Sequence, residues 1–120
     1  MSRSRTDVAA GRRRQQAAAF AALGDETRLS LVAALSGASA RSIAELAGGA
    51  KITRQAITKH LRVLESAGIV RCARRGRESR FELDPAPMRE LEEYLGRVSA
   101  QWGLALARLK ALVEQPERAG

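Results

Sequence analysis

The stretch from Ile52 to Ala67 has two chemically different faces at helical spacing. Ile57, Leu61 and Leu64 recur at i, i+4 and i+7, which predicts an α-helix with one apolar face. The polar side of this helix carries residue types that bond base edges and phosphates, namely Arg54, Gln55, Thr58, Lys59 and Arg62. The other interpretation is an ordinary solvated face, because single amphipathic helices are common. The neighbouring sequence distinguishes the two.

Two shorter helices are predicted ahead of this stretch. The run from Gln15 to Leu23 consists of strong helix formers and ends at a glycine, so it is expected to be the first helix. Asp25 can then cap a second helix through its carboxylate. The apolar spacing in that second helix places three residues on the buried side: Leu29, Val32 and Leu35.

Residues 42–67 have the pattern of a helix-turn-helix. Ser42 and Glu45 have the S-x-x-E form of a capping box, which opens a short helix with Ile43, Leu46 and Ala47 facing inward. After a Gly-containing turn, Thr53 can cap the longer helix. In a helix-turn-helix the second helix enters the major groove of DNA. This context favours a base-reading face over a merely solvated one.

After Gly68 the hydrophobic pattern changes from helical to strand spacing. Strands are predicted at residues 69–73 and 79–83, joined by a turn near Arg75 and Gly76, with Phe81 and Leu83 on one face. Arginines crowd this hairpin, and such crowding is relieved by a bound anion. We therefore expect a phosphate-contacting wing rather than a solvated hairpin, with contacts from Arg74, Arg75, Arg77 and Arg80 beside Arg71.

A long helix is predicted from Ala86 to Glu114. Its apolar residues are spaced three and four apart for more than three heptads, which is typical of a helix with a continuous packing seam. Such a helix would be on the order of 40 Å long, longer than three short helices and a hairpin can cover. Packing on its own domain is the alternative, but we expect a homodimer through this helix and the first one, with an interface of Phe20, Met88, Leu91, Leu95, Val98, Trp102 and Leu109.

Composition agrees with a mostly α-helical chain that carries a small β-hairpin. The 120 residues are 45% hydrophobic but only 3% aromatic, so the core must be aliphatic and rich in alanine. Residues 1–14 mix serine, arginine and glycine, which predicts a mobile basic arm that either contacts phosphates or is simply solvated. Residues 15–114 are expected to form one DNA-binding and dimerisation domain, followed by a tail at 115–120.

The charge distribution points to a polyanionic partner. Formal net charge is +8, and residues 1–80 carry +10 whereas residues 81–120 carry −2. A membrane surface is also a polyanion, but the chain has no apolar run near 18 residues and no hydrophobic core of a signal peptide. A single cysteine agrees with a reducing compartment. Double-stranded DNA in the cytoplasm is therefore the expected partner.

Taken together, residues 18–113 resemble the ArsR/SmtB family of bacterial winged-helix repressors. FAALGDETRLSLVAAL is similar to the opening signature of that family, SIAELA and TRQAITKHLRVLESAGIV to its helix-turn-helix, and RRGRESRFEL to its wing. The resemblance implies an operator-binding homodimer, with DNA contacts from the helix residues named above, from His60 and from the wing arginines. The expected operator is an imperfect palindrome beside the protein's own gene or a neighbouring operon.

Metal sensing, for which this family is best known, does not fit the sequence. The metal-binding members carry a Cys-x-Cys motif where this chain has Ala38-Ser39-Ala40-Arg41-Ser42, or His and acidic pairs on the last helix. Thiolate and imidazole ligands are needed in clusters, and the chain has one Cys and one His. No metal and no cofactor is therefore expected. Cys72 is expected to be a small core residue, with redox sensing as the alternative.

Other classes of function remain as alternatives to a specific repressor. The chain lacks a phosphate-binding glycine loop, a nucleophile elbow and a metal hydrolase cluster, so an enzyme is not expected. A basic protein that coats or bends DNA without regard to sequence, or a dimeric adaptor for an acidic protein, would share the same charge. Competition by unrelated duplex separates specific binding from coating. No inducer is indicated by the sequence.

Overall fold

The computed structural model describes residues 4–37, 39–48 and 51–114, with the side chain of Arg75 left out. Within these ranges the elements are α1 (Arg5–Leu23), α2 (Glu26–Ser36), β1 (Arg41–Ser42), α3 (Ile43–Ala47), α4 (Arg54–Ser66), β2 (Val70–Arg75), β3 (Glu78–Leu83) and α5 (Pro85–Glu114). By its internal contacts the chain forms two units, Met1–Pro87 and Met88–Gly120.

Helix α1 begins well before the predicted start at Gln15. The Ser4 hydroxyl accepts a hydrogen bond from the backbone N–H of Asp7 at 3.1 Å and so caps the helix. Asp7 also places a negative charge near the positive end of the helix dipole. Residues 5–14 are therefore helical, where a mobile arm was expected. Residues 1–3 and 115–120 lie outside the described residues, and the division into arm, domain and tail stays a prediction.

Helix α2 begins where the sequence predicted. The Asp25 carboxylate caps it by accepting from the backbone N–H of Arg28 at 3.0 Å. The buried residues of α2 are Leu31, Val32 and Leu35, whereas Leu29 is exposed. Successive helical residues turn by about 100°, so Leu29 lies about 120° around the axis from Leu35. The prediction that Leu29 is buried was wrong. Residues spaced three apart drift around the helix axis, so Leu29 no longer lies on the face that Leu31 and Leu35 share.

The helix-turn-helix has the predicted caps. Ser42 caps α3 by accepting from the backbone N–H of Glu45 at 3.1 Å, and Thr53 caps α4 by accepting from Ala56 at the same distance. Leu46 is the buried residue of α3. The apolar side of α4 is completely buried at Ile57, Leu61 and Leu64, as the sequence predicted, and Ile69 joins this core.

The turn after α4 requires glycine. Gly68 has a φ of +80°, a backbone conformation that residues with a side chain rarely adopt. It directs the chain out of α4, and the backbone N–H of Ile69 then donates to the carbonyl of Leu64 at 2.9 Å. This turn places the first residue of the hairpin beside the end of α4.

The hairpin is part of an antiparallel sheet with the order β1-β3-β2. Its strands are longer than predicted, with Val70 opposite Leu83 and Arg75 opposite Glu78. The third strand, β1, was not predicted: Arg41 pairs with Phe81 and Ser42 with Arg80. Phe81, in the central strand, is buried. The sheet therefore connects the start of the helix-turn-helix to the inner strand of the hairpin.

Helix α5 begins at Pro85, where proline costs no hydrogen bond, and the Asp84 carboxylate accepts from the backbone N–H of Ala86 at 3.1 Å. Its 30 residues carry a long exposed apolar series that includes Leu95, Trp102, Leu106, Leu109 and Leu112. Leu91 is already buried in the single chain. None of the helices in the described ranges is long and apolar enough to cross a membrane.

Candidate nucleic-acid interface

The outer side of α4 is a polar, basic surface above a fully buried apolar face. Arg54, Gln55, Lys59 and Arg62 are exposed, and Thr58 is half-buried. At about 100° per residue, Gln55, Lys59 and Arg62 lie within about 60° of one another, on the side opposite Ile57. The Thr58 hydroxyl donates to the carbonyl of Arg54 at 2.8 Å. Gln55, Lys59 and Arg62 therefore form the centre of the surface that α4 presents to solvent.

His60 lies beside this surface rather than at its centre, and its predicted contact with DNA stays a prediction. Its side chain is 23% exposed, and its Nδ1 atom lies 3.3 Å from Arg28 Nη1 and 3.8 Å from Asp25 Oδ2. A guanidinium is only a donor, so Nδ1 accepts this hydrogen bond from Arg28. The reason is the helical angle, since His60 lies about 100° from Lys59 and points toward the start of α2.

Arg28 connects three helices at this joint. Its Nε–H donates to the carbonyl of Ala22 in α1 at 2.6 Å, while its Nη1–H reaches His60 in α4. The backbone N–H of Arg28, donating to the Asp25 carboxylate, lowers the pKa of Asp25 below its usual range. The positive charge of Arg28 acts in the same direction. The sequence analysis missed Arg28, because no local pattern shows that α2 and α4 meet at this residue.

Two of the hairpin arginines have partners within the protein. Arg71 Nε lies 2.9 Å from Glu82 Oε1 on the neighbouring strand, a partner that the sequence analysis did not consider. Arg80 is held by Glu45 Oε1 at 3.0 Å, by the carbonyl of Ala40 at 3.0 Å and by Glu78 Oε2 at 3.4 Å.

Arg80 has partners within the protein, unlike the arginines at the hairpin tip, and its predicted contact with DNA stays a prediction. Its side chain is 28% exposed and connects β3 to the start of α3. By contrast, Arg74 and Arg77 are exposed, and within the described residues neither forms an ion pair or a side-chain hydrogen bond. The side chain of Arg75 lies outside the described part of the structure. The hairpin tip therefore presents Arg74 and Arg77 as free cations.

Cys72 is exposed, so the prediction that it is a core residue was wrong. It lies on β2, an edge strand of the three-stranded sheet that the described residues form. A redox role for Cys72 stays a prediction. Within the described residues, no group of three or more His, Cys, Asp or Glu side chains could hold a metal ion.

The arrangement suits a two-part contact with a nucleic acid. A helix face with an amide and two cations can meet base edges, and a basic hairpin tip can meet the phosphate backbone. Lys51, which the sequence analysis did not single out, is exposed just before α4 and adds a further cation.

Comparison with known proteins gives consistent matches. Residues 23–73 match the model of a helix-turn-helix domain. The chain is 39% identical over 80 residues to YuzN of Bacillus subtilis (strain 168), an uncharacterized HTH-type transcriptional regulator, covering 62% of this chain and 87% of that protein. The structure of this chain is similar to that of an ArsR-like transcriptional regulator from Rhodococcus sp. RHA1. The TM-score is 0.74, the sequence identity is 36%, and the match covers 88% of this chain and 99% of the other.

A more distant structure has the same fold. It is the homodimeric winged helix-turn-helix DNA-binding domain of a possible ArsR-family transcriptional regulator from Mycobacterium bovis, at 18% identity and a TM-score of 0.59, covering 99% of this chain and 98% of that one.

Proposed function

Because the chain belongs to the ArsR-like family of winged helix-turn-helix transcriptional regulators, we propose that it is a homodimeric repressor that binds an imperfect palindromic operator. Its target is its own promoter or that of a neighbouring operon, in the cytoplasm. The observation that carries this proposal is the two-faced helix α4, whose fully buried Ile57, Leu61 and Leu64 fix the outward direction of Gln55, Lys59 and Arg62.

Helix α4 supplies the base contacts in this proposal. The Gln55 amide can donate to and accept from adenine, and Arg54 or Lys59 can donate to guanine N7 and O6. Arg62, one turn farther along, is placed for a phosphate. Thr58 contributes a half-buried hydroxyl whose proton is committed to the Arg54 carbonyl, which leaves it as an acceptor.

The wing supplies phosphate contacts. Arg74 and Arg77 are exposed and unpaired within the described residues, so their charges are available to displace counterions from DNA. Arg75 is proposed to join them from its position at the end of β2. Arg80 supports the wing from inside, through Glu45 and the Ala40 carbonyl, rather than touching DNA itself.

The exposed side of α5 is proposed as the dimer interface. Leu95 is 52% exposed and Trp102 is 65% exposed, and Leu109 continues the same apolar series. A contiguous apolar surface of this kind is typical of protein–protein contacts. Phe20 on α1, and Met88 and Val98 on α5, are half-buried and are proposed to contribute to the dimer contact, whereas Leu91 is already buried in the single chain. A two-fold dimer would bind half-sites ~10 bp apart, or a multiple of that distance.

The test uses DNA from upstream of the protein's own gene. A footprint on that segment should show a symmetric protected region, which a large excess of random duplex does not remove. A coating protein would lose the footprint at the same competitor concentration, and that result would favour the sequence-indifferent alternative. Sedimentation of the free protein measures the dimer separately.

A further inference from the structure

A cleft of about 360 Å³ lies between α1, α2 and α4. Its walls are mostly apolar: alanines of α1, including Ala18 and Ala21, face Val63 and Ala67 of α4. The size is at the lower end of the range for small-molecule sites. Because α4 is the DNA-reading helix of the proposed function, this cleft lies directly behind the proposed interface. We name it the α1–α4 cleft.

Arg28 is the one charged side chain among the residues that line the cleft. Its Nε–H is used by the Ala22 carbonyl, and one Nη1–H by His60. A guanidinium has five N–H groups, so the remaining ones have no partner among the described protein groups. Asp25 is near enough for the charge of Arg28 to lower its pKa, but among the described residues no carboxylate forms an ion pair with Arg28. The cleft therefore combines apolar walls with an incompletely satisfied cation.

We propose that the α1–α4 cleft is an effector site for a small monocarboxylate with a short apolar body. The carboxylate would accept from the free N–H groups of Arg28, and the apolar body would lie against Ala18, Ala21 and Val63. Planar carboxylates match the guanidinium fork, and a charge-assisted hydrogen bond beside an apolar wall is stronger than one in open water.

The contacts of Arg28 link the α1–α4 cleft to the helix that is proposed to bind DNA. A carboxylate that draws the guanidinium of Arg28 into the cleft lengthens the hydrogen bond from Nη1–H to His60 Nδ1, which is 3.3 Å in the free protein. Loss of that hydrogen bond releases the link between α4 and the start of α2, and DNA affinity falls. This regulatory step rests on the proposed function, whereas ligand binding itself does not.

The cleft opens away from the proposed dimer contact on α1. Ala18 lies about 160° around the helix from Phe20, at about 100° per residue. A second copy that packs on Phe20 therefore contacts a different side of α1 from Ala18. This placement favours a small molecule over a partner subunit as the occupant.

Nuclear magnetic resonance of the full chain tests the site without DNA. The probes are hexanoate, phenylacetate and indole-3-acetate, each paired with its neutral alcohol. We expect at least one carboxylate to shift the backbone amide signals of Ala21, Val63 and Ala67 saturably, and its alcohol to bind about tenfold more weakly. Ala21→Phe should block binding by filling the cleft from an exposed position, and Arg28→Met should weaken it about tenfold.

Ala33→Phe is the matched control, because Ala33 is exposed on α2 and does not line the cleft. Its affinity for the carboxylate should equal that of the wild type. Three results would overturn the proposal: no saturable shift from any carboxylate, equal binding of the alcohols, or a site that Ala21→Phe leaves unchanged. A bound carboxylate that leaves operator affinity unchanged would contradict only the regulatory step, and a failed footprint only the proposed function.

Discussion

Two arginines three residues apart in the hairpin should have opposite effects when they are removed. Arg77 is exposed at the turn and has no partner among the described residues, whereas Arg80 makes three polar contacts with Glu45, Glu78 and the Ala40 carbonyl. We predict that Arg77→Ala changes DNA binding and leaves folding stability intact. Arg80→Ala should do the reverse.

The expected loss of stability in Arg80→Ala follows from the groups that would lose their hydrogen-bond or ion-pair partner. Ala40 is buried, so its carbonyl would lose its donor in a place that water reaches poorly. A hydrogen bond from a charged donor contributes about 1.5–3 kcal/mol. The partly exposed ion pairs with Glu45 and Glu78 add at most about 1 kcal/mol after solvent screening. The free energy of unfolding should therefore fall by about 2–3 kcal/mol.

The magnitude for Arg77 follows from counterion release. Each phosphate contact contributes about −0.9 to the slope of log affinity against log salt concentration. Two subunits lose two contacts, so the slope should become shallower by about 2. Stability should change by less than about 0.5 kcal/mol, as for most exposed positions.

Urea unfolding followed by circular dichroism gives the stability, and fluorescence anisotropy on labelled operator at several salt concentrations gives the slope. Wild type, Arg77→Ala and Arg80→Ala are compared in the same buffers, with the operator at saturating and sub-saturating protein. If Arg80→Ala flattens the slope as much as Arg77→Ala while its unfolding is unchanged, Arg80 is a phosphate contact and the assignment from its hydrogen bonds is wrong.

Three further predictions concern base recognition by α4, dimerisation through α5 and folding stability at acid pH. Gln55→Ala should cost about 1–3 kcal/mol on the operator and little on scrambled duplex, measured by anisotropy, and equal losses would mean that α4 does not read bases. Leu95→Glu should give monomers by sedimentation, whereas Ala100→Glu, at an exposed position about 140° around the same helix, should not. The lowered pKa of Asp25 stabilises the fold above about pH 4, and this contribution is lost as pH falls through the folded-state value. Asp25→Asn keeps a capping oxygen without the charge. The free energy of unfolding of this variant, measured in urea, should therefore fall less between pH 7 and pH 3 than that of the wild type.

The elements with strong local signals were predictable from the sequence. The apolar spacing of α4 identified Ile57, Leu61 and Leu64, which are all fully buried, and the caps at Asp25, Ser42 and Thr53 each rest on one short-range hydrogen bond. These features depend on residues within one or two helical turns. The two-residue strand β1 gives no such signal, because its existence depends on pairing with β3 far along the chain.

The sequence did not show which candidate site residues have partners that are distant along the chain. His60 looks like a groove residue until α2 brings Asp25 and Arg28 to it, and Arg80 looks like a wing contact until α3 brings Glu45. A count of charges along the sequence does not distinguish one arginine from another. The residues that surround each arginine in the fold determine whether its charge is available to a ligand. Arg74 and Arg77 are available because, among the described residues, the nearby Glu78 and Glu82 carboxylates pair with Arg80 and Arg71.

The strand order β1-β3-β2 leaves β2 with an unpaired backbone edge. An open edge is a template on which another chain can add a strand, and long charged side chains are a common protection against such aggregation. Arg71 and Arg74 stand on this strand, while β1 at the other side of the sheet is too short to serve as a template. These two charges therefore disfavour edge-to-edge pairing between folded copies, a role that does not depend on DNA.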